Sequence, residues 1–289
     1  MPRLVTTTLE TGSNLQVPIV IDFNHTKQYT LSIRLSTDGF CFAVHNTSEE
    51  EEYAYMPYNI DPLKSMAANL KTAIQETNML KHTYGKVNII MADTAYTIVP
   101  KEYFDESSER ELYLQNFPQT PSSTIIHHNL VSDEQAIILF GIEGTLHKTL
   151  KEKYPKAQLY ASISALVNYG AEKSYTTDQH YFLAHMRKRD IDILCFANGA
   201  PLFTNTFRNR NTADTLYYLL NCWQMLGLSQ TNDILHIAGN ARNVKALTKE
   251  LEKFIQQINI VRPAEEFHTT ELARIGEMPF DLQALIACE

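Results

Sequence analysis

From Tyr29 onward the chain alternates: Tyr29, Leu31, Ile33 and Leu35 fall on one face, Thr30, Ser32, Arg34 and Ser36 on the other. A period of two marks a half-buried strand. Thr37-Asp38-Gly39 supplies turn residues, residues 40–45 return, Glu49 to Glu52 make a solvated second turn, and residues 53–58 read as a third strand. The result is an antiparallel meander. The period then changes. Asp61-Pro62 offers a cap and a first-turn proline, and Leu63, Met66, Ala67, Leu70 and Ile74 line one face of a helix to about Leu80. Strands at 87–91 and 96–99 and a helix at 101–116 follow.

The same order recurs in the second half. Strand 180–186 turns at Lys188-Arg189-Asp190, strand 191–197 turns at Asn198-Gly199, and 200–207 completes a second meander. Next come a helix over 212–226 ended by Gly227, a strand at 234–238, a helix over 244–257 and a strand at 259–261. Each half therefore reads β-β-β-α-β-α. Between them the pattern places strands at 124–130 and 134–142 and helices at 144–154 and 162–169, with polar, aperiodic residues 173–179 as a linker. Two domains, 1–175 and 176–289, are expected.

With 289 residues, 44% hydrophobic and 20% charged, the chain can bury ordinary cores. Its formal net charge of -8 points away from a nucleic-acid surface, which is held mainly by Lys and Arg. No apolar run reaches the ~20 residues of a membrane helix, and the first residues lack the apolar core of a signal peptide. Cys41, Cys195, Cys222 and Cys288 show no C-x-x-C pairing and read as buried thiols of a reducing, cytoplasmic protein.

The repeated order resembles the ribonuclease-H-like duplication of the actin, sugar-kinase and heat-shock-chaperone ATPase superfamily. "QAIILFGIEGTLHKTLKEKYPKAQLYASISALVNYG" looks like the strand-helix-strand-helix that closes the first domain of pilus-assembly and cell-division actin homologues. "RDIDILCFANGAPLFTNTF" resembles the middle strand, turn and third strand of their second domain. The chain as a whole looks like a bacterial family of unknown function with this fold. The resemblance implies an α/β fold with mixed sheets: two ribonuclease-H-like βββαβα domains in an actin-like ATPase arrangement.

In that superfamily, nucleotide phosphates sit between two hairpin turns with Asp-x-Gly-like signatures, where Gly admits backbone N–H groups to phosphate and Asp orients hydrated Mg²⁺. Carried onto this chain, the cofactor-binding positions are Ser36, Thr37, Asp38 and Gly39 at the first turn, Arg187 and Lys188 at the second, and Gly239 and Asn240 at the glycine pair beside adenosine. The matches depart from the pattern. Thr37 stands where the first acid is expected, Phe40 where Thr or Ser is usual, and the second turn, with His185 and Met186 leading into Arg187 and Lys188, has no glycine and no carboxylate at the strand end. These departures point away from ATP hydrolysis.

Other chemistry is sparse. His127 and His128 would point to opposite sides of a strand, and His180 and His185 are five apart, so neither pair has metal-ligand spacing. No G-x-S-x-G, P-loop or H-E-x-x-H is present. Arg187, Lys188, Arg189, Arg208 and Arg210 could meet near the cleft and grip an anion without Mg²⁺. The leading expectation is a non-catalytic scaffold or adaptor for a protein or peptide partner, with no catalytic residue, no metal and no required cofactor. Two rivals stay open: an Mg-ATP-dependent ATPase or kinase using Asp22, Asp38 or Asp190, and a sensor of an anionic small molecule.

Overall fold

The computed structural model describes residues 21–46, 52–93, 95–133, 135–239, 244–267 and 271–288. Its strands are β1 (Thr30–Ser36), β2 (Gly39–His45), β3 (Tyr53–Tyr58), β4 (Lys86–Met91), β5 (Tyr96–Pro100), β6 (Ile125–Val131), β7 (Ala136–Ile142) and β8 (Gln158–Ala161). In the second half they are β9 (Tyr181–Met186), β10 (Asp190–Ala197), β11 (Ala200–Arg208), β12 (Ile234–Gly239) and β13 (Gln257–Ile260). The helices are α1 (Met66–Glu76), α2 (Glu109–Asn116), α3 (Gly144–Lys153), α4 (Ser162–Ser174), α5 (Thr212–Met225), α6 (Val244–Leu251), α7 (Pro263–Glu266) and α8 (Phe280–Ala287).

Two five-stranded sheets share one topology, β3-β2-β1-β4-β8 and β11-β10-β9-β12-β13. In each, an antiparallel meander continues into two parallel strands, β1 beside β4 and β9 beside β12. The first meander turns at Thr37-Asp38, and Ser36 pairs with Gly39 across it. Duplication is thus visible in strand order. It is not symmetrical in the connections: β12 passes directly to α6, whereas β4 first enters a three-stranded antiparallel sheet, β5-β7-β6, before α3.

That insertion corrects the expected equivalence of the two halves. The counterpart of α6 is α3, not the helix expected at 101–116, which is itself reduced to two 3-10 turns and the short α2. Three other boundaries move. Helix α1 begins at Met66 because the Ser65 hydroxyl caps it, accepting from the Ala68 N–H at 3.2 Å, while Asp61 closes a local turn by accepting from Leu63 N–H. Helix α4 runs to Ser174, five residues past the expected 169 and through the start of the expected linker. Helix α6 ends at Leu251.

The largest core joins the two sheets. Leu31, Ile33, Leu35, Ile89 and Ile90 of the first sheet, Leu183, Leu194 and Phe196 of the second, and the interiors of α4 and α8 form one apolar cluster. Helix α8 lies against α4 and contacts both β1 and β12. Gly170 permits the close approach of α4 to β10: a Cβ there would stand 2.2 Å from the Phe196 ring. A second cluster fills the space between β9, β10, β12 and helices α5 and α6. A small third one holds the inserted sheet together with α2.

Candidate functional site

Because β1 runs parallel to β4 and β9 to β12, the C-terminal ends of these strands gather at one cleft, as ligand sites of open α/β sheets do. Ser36, Met91, Met186 and Gly239 mark those ends. The β1–β2 turn and the β9–β10 turn face one another there. Asp38 at the first turn lies 3.7 Å from the Arg189 Nε and 4.0 Å from the Lys188 Nζ at the second.

Arg187 occupies the space behind these turns. Its Nη1 donates to the Ala92 carbonyl at 2.7 Å and to Asp93 Oδ1 at 3.1 Å, and its Nη2 donates to Asp192 Oδ1 at 3.0 Å. Ala92 and Asp93 follow β4 of the first sheet and Asp192 lies in β10 of the second, so one guanidinium bridges the two sheets. The acids have further donors. Asp93 Oδ2 accepts from the Ser36 hydroxyl at 2.9 Å and from the Thr37 N–H. Asp192 accepts from the Thr206 hydroxyl at 2.6 Å and pairs with His185 Nδ1 at 2.9 Å. Tyr96 from the inserted sheet reaches Thr206 at 3.3 Å.

The electrostatics follow from this packing. Burial opposes ionisation of Asp192, whose side chain is 3% exposed, but Arg187, His185 and Thr206 outweigh it and hold the carboxyl well below the usual carboxylate range. Burial likewise works against charge on Arg187, and Asp192 and Asp93 more than offset it, raising its pKa. Asp190, partly buried and near the same acids, is pushed up by desolvation despite the opposing pull of Arg187 and Arg208. A crevice bordered by Met91, Tyr96, Ser162, Arg187, Asp192 and Thr206 has room for about one water molecule.

A second buried pair pins the C-terminal helix. Arg34 Nε donates to both Asp281 oxygens at 2.8 and 2.9 Å, and the Ser162 hydroxyl donates to Asp281 Oδ2 at 2.5 Å. The first strand, α4 and α8 are joined at this carboxylate. Burial opposes its ionisation, yet Arg34 and His185 keep the Asp281 pKa lowered.

Of the positions expected from the sequence, Ser36, Thr37, Asp38, Gly39, Arg187 and Lys188 meet at the facing turns. Gly239 ends β12 beside them; a Cβ there would lie 2.4 Å from the Met186 carbonyl, and its φ is +85°, so the site admits only glycine comfortably. Asn240 lies outside the described residues, as do Glu49, Glu50 and Glu51 of the acidic turn. His185 is not at a turn but buried in β9 opposite Asp192. The expected shortage of carboxylates is corrected: Asp93 and Asp192 both point into the cleft. Asp93 directly follows an apolar strand in "NIIMAD", and Asp192 interrupts the apolar alternation of "DIDILCF", so both carried a signal. Arg34 and Asp281 carried none, being 247 residues apart.

The remaining candidates separate. Arg187 is engaged by Asp93 and Asp192, and Arg208, at the end of β11, shares with it an electrostatic pull on Asp190. Asp22 is held by His25 and Asn24, away from the turns. His127 lies tilted against His147 with ring centroids 5.0 Å apart, and burial followed by the nearby His147 pushes its pKa down to about 4. His128 pairs with Glu109 at 3.0 Å. Cys41, Cys195 and Cys222 are buried and Cys288 is exposed, correcting the expectation of four buried thiols. Among the described residues no group of three metal-binding side chains occurs, and no helix is long and apolar enough to cross a membrane.

No protein of curated function matches the chain. A Bacteroides thetaiotaomicron protein with actin-like ATPase fold and unknown function is 36% identical, with a TM-score of 0.82 over 93% of this chain and 99% of that one. A chain of the PilM–PilN type IV pilus biogenesis complex shares the fold at 12% identity, with a TM-score of 0.55 over 90% of this chain and 98% of that one. The fold is therefore actin-like, and since the model of the family described as "Protein of unknown function (DUF3822)" matches residues 20–258, the chain belongs to that family.

Proposed function

We propose that this protein is a non-catalytic scaffold or peptide-binding adaptor, in which the nucleotide site of the actin-like fold has become structural. One observation carries the reading: the Arg187 guanidinium fills the space behind the facing turns and is bonded to Ala92 and Asp93 on one side and Asp192 on the other. A phosphate placed there would have to displace it. Breaking such a buried pair by removing one partner costs about 3–5 kcal/mol, equivalent to a loss of about two to nearly four orders of magnitude in affinity.

The same carboxylates weigh against an anion sensor, because Arg187 has no charge left to offer a second anion. A partner-binding role accords with PilM, whose structure is that of a complex with PilN, an analogy of fold. We place the two ribonuclease-H-like units at residues 1–175 and 176–289 and the protein in the cytoplasm, where four cysteines without a disulfide would stay reduced.

Thermal unfolding with and without millimolar Mg-ATP tests the reading. A ligand that binds only the native state raises Tm by mass action, so an unchanged Tm, together with no phosphate release, is the expected outcome. A rise of several degrees that vanishes in the Ser36→Ala and Asp38→Ala variants would refute it.

A further inference from the structure

Sheet edges are places where another chain can add a strand, and most of the edges here are short or covered. Strands β8 and β13 have four residues each and β5 has five, ending in Pro100. Edge strand β6 is tied to β8 by the Asn129 side chain, which bonds to Leu159 and Ala161. Edge strand β3 contains Pro57 and is flanked by the turn Glu271–Arg274. Strand β11 differs. It has nine residues, pairs with β10 along one side, and has no strand on its other side among the described residues, where the Thr206 N–H is held by the Asn205 side chain at 2.8 Å, a contact an added strand would displace.

Its surroundings are selective as well. Arg208 ends β11 and Arg210 follows it; both are exposed, and neither side chain makes a hydrogen bond or ion pair among the described residues. Phe207 stacks on Tyr218 of α5 at 4.6 Å and 19°, and Tyr217, 65% exposed, packs edge-on to Tyr218 at 5.5 Å. Leu202 near the start of the strand is 51% exposed. An edge with no neighbouring strand, an aromatic step and two exposed guanidinium groups, of which Arg208 also acts electrostatically on Asp190, therefore lie together on a chain of net charge -8.

We propose that the free edge of β11 is the docking strand for an extended, acidic peptide segment of a partner protein. The segment would exchange main-chain hydrogen bonds with residues 202–208, set an apolar side chain on the Phe207–Tyr218–Tyr217 step and carboxylates against Arg208 and Arg210. The length of the open edge selects an extended partner over a helix, and the exposed arginines select an acidic one over a basic one. The inference deepens the adaptor reading and rests on it.

The experiment pans a phage-displayed library of random eight-residue peptides on the full chain at low salt, then measures the enriched peptides in solution. Acidic peptides with alternating apolar residues are expected, slowing amide hydrogen exchange across residues 202–208. Arg208→Gln with Arg210→Gln should weaken them by at least about tenfold with Tm unchanged, as should raised ionic strength. Methylating alternate backbone nitrogens of the peptide should abolish binding, since an edge strand needs those N–H groups. No enrichment, enrichment of basic or neutral peptides, protection elsewhere, or undiminished binding of the methylated peptide would each overturn the proposal. Self-association of the chain that the same arginine variant removes would overturn it too, naming a second copy as the occupant. Mg-ATP added to the same samples separates the two readings: a nucleotide-dependent Tm rise refutes the adaptor, whereas failed peptide binding without such a rise refutes only the edge.

Discussion

Replacing Arg187 by alanine removes two hydrogen bonds that cross to the first sheet and a third to Asp192, leaving that carboxylate, 3% exposed, without its guanidinium partner. His185 and Thr206 still touch Asp192, so the carboxylate is not bare, but its formal counter-charge is gone. Removing one member of a buried pair costs about 3–5 kcal/mol. For a domain of this size about 1 kcal/mol moves Tm by roughly 2–4 °C, so a fall near 10 °C is expected at pH 7. Acidity supplies a sign. In the wild type the folded Asp192 pKa is depressed, so its contribution is present above the unfolded pKa and is lost as pH falls toward the folded one. Burial is already the largest single influence on this carboxyl, and without Arg187 it is no longer outweighed, so the carboxyl moves upward and the variant should lose stability as pH rises from 4 to 7. Urea titrations of wild type, Arg187→Ala, Asp192→Asn and the double variant across that range measure all of this, and the double variant should recover much of the single loss because no buried charge is stranded. An Arg187 variant within about 1 kcal/mol of wild type at pH 7, or a double variant no better than the single, would refute the reasoning.

Three further outcomes follow from other parts of the molecule. Burial holds His236, stacked on Tyr181 at 4.2 Å, down to about 4, so the unfolded chain takes up its proton first and stability should fall by about 1 kcal/mol per pH unit between pH 6.5 and 4; His236→Gln should flatten that slope in urea titrations. Gly170→Ala, normally a gain in a helix, should instead destabilise by about 1–3 kcal/mol, because its Cβ meets the buried Phe196 ring, and Phe196→Leu should relieve the loss in a thermal melt. Asp281→Asn should loosen the C-terminal helix by weakening its bond to Arg34, lowering stability by about 3 kcal/mol and raising hydrogen exchange across residues 280–287 above that of β12.

What could be read from the sequence alone was set by local physics. Strand alternation from Tyr29 and from Tyr181, the Asp-Gly turn, the helical period at Leu70 and the Gly227 stop depend on near neighbours, so both meanders and the strands parallel to them were legible, and with them the actin-like fold. The facing turns were legible too, because Gly39 and Lys188 sit where period-two runs break. The inserted sheet was harder. Its strands were expected, yet nothing in β5, β6 or β7 says that they pair with one another rather than extend the larger sheet. Partner choice between strands is a long-range decision with no local sign.

The site shows the same division. Asp192 inside an apolar strand and Asp93 at a strand's end were overlooked in the sequence, and only the folded chain brought Arg187 to both of them. The Arg34–Asp281 pair joins residues from the two ends of the chain, and α8 reads merely as an apolar stretch until α4 and β1 enclose it. Local sequence determined which segments would be strands, helices and turns, because those depend on backbone preference and periodicity. Tertiary structure alone decided that the cleft between the turns holds a guanidinium among carboxylates, because burial and charge pairing are properties of groups brought together from afar.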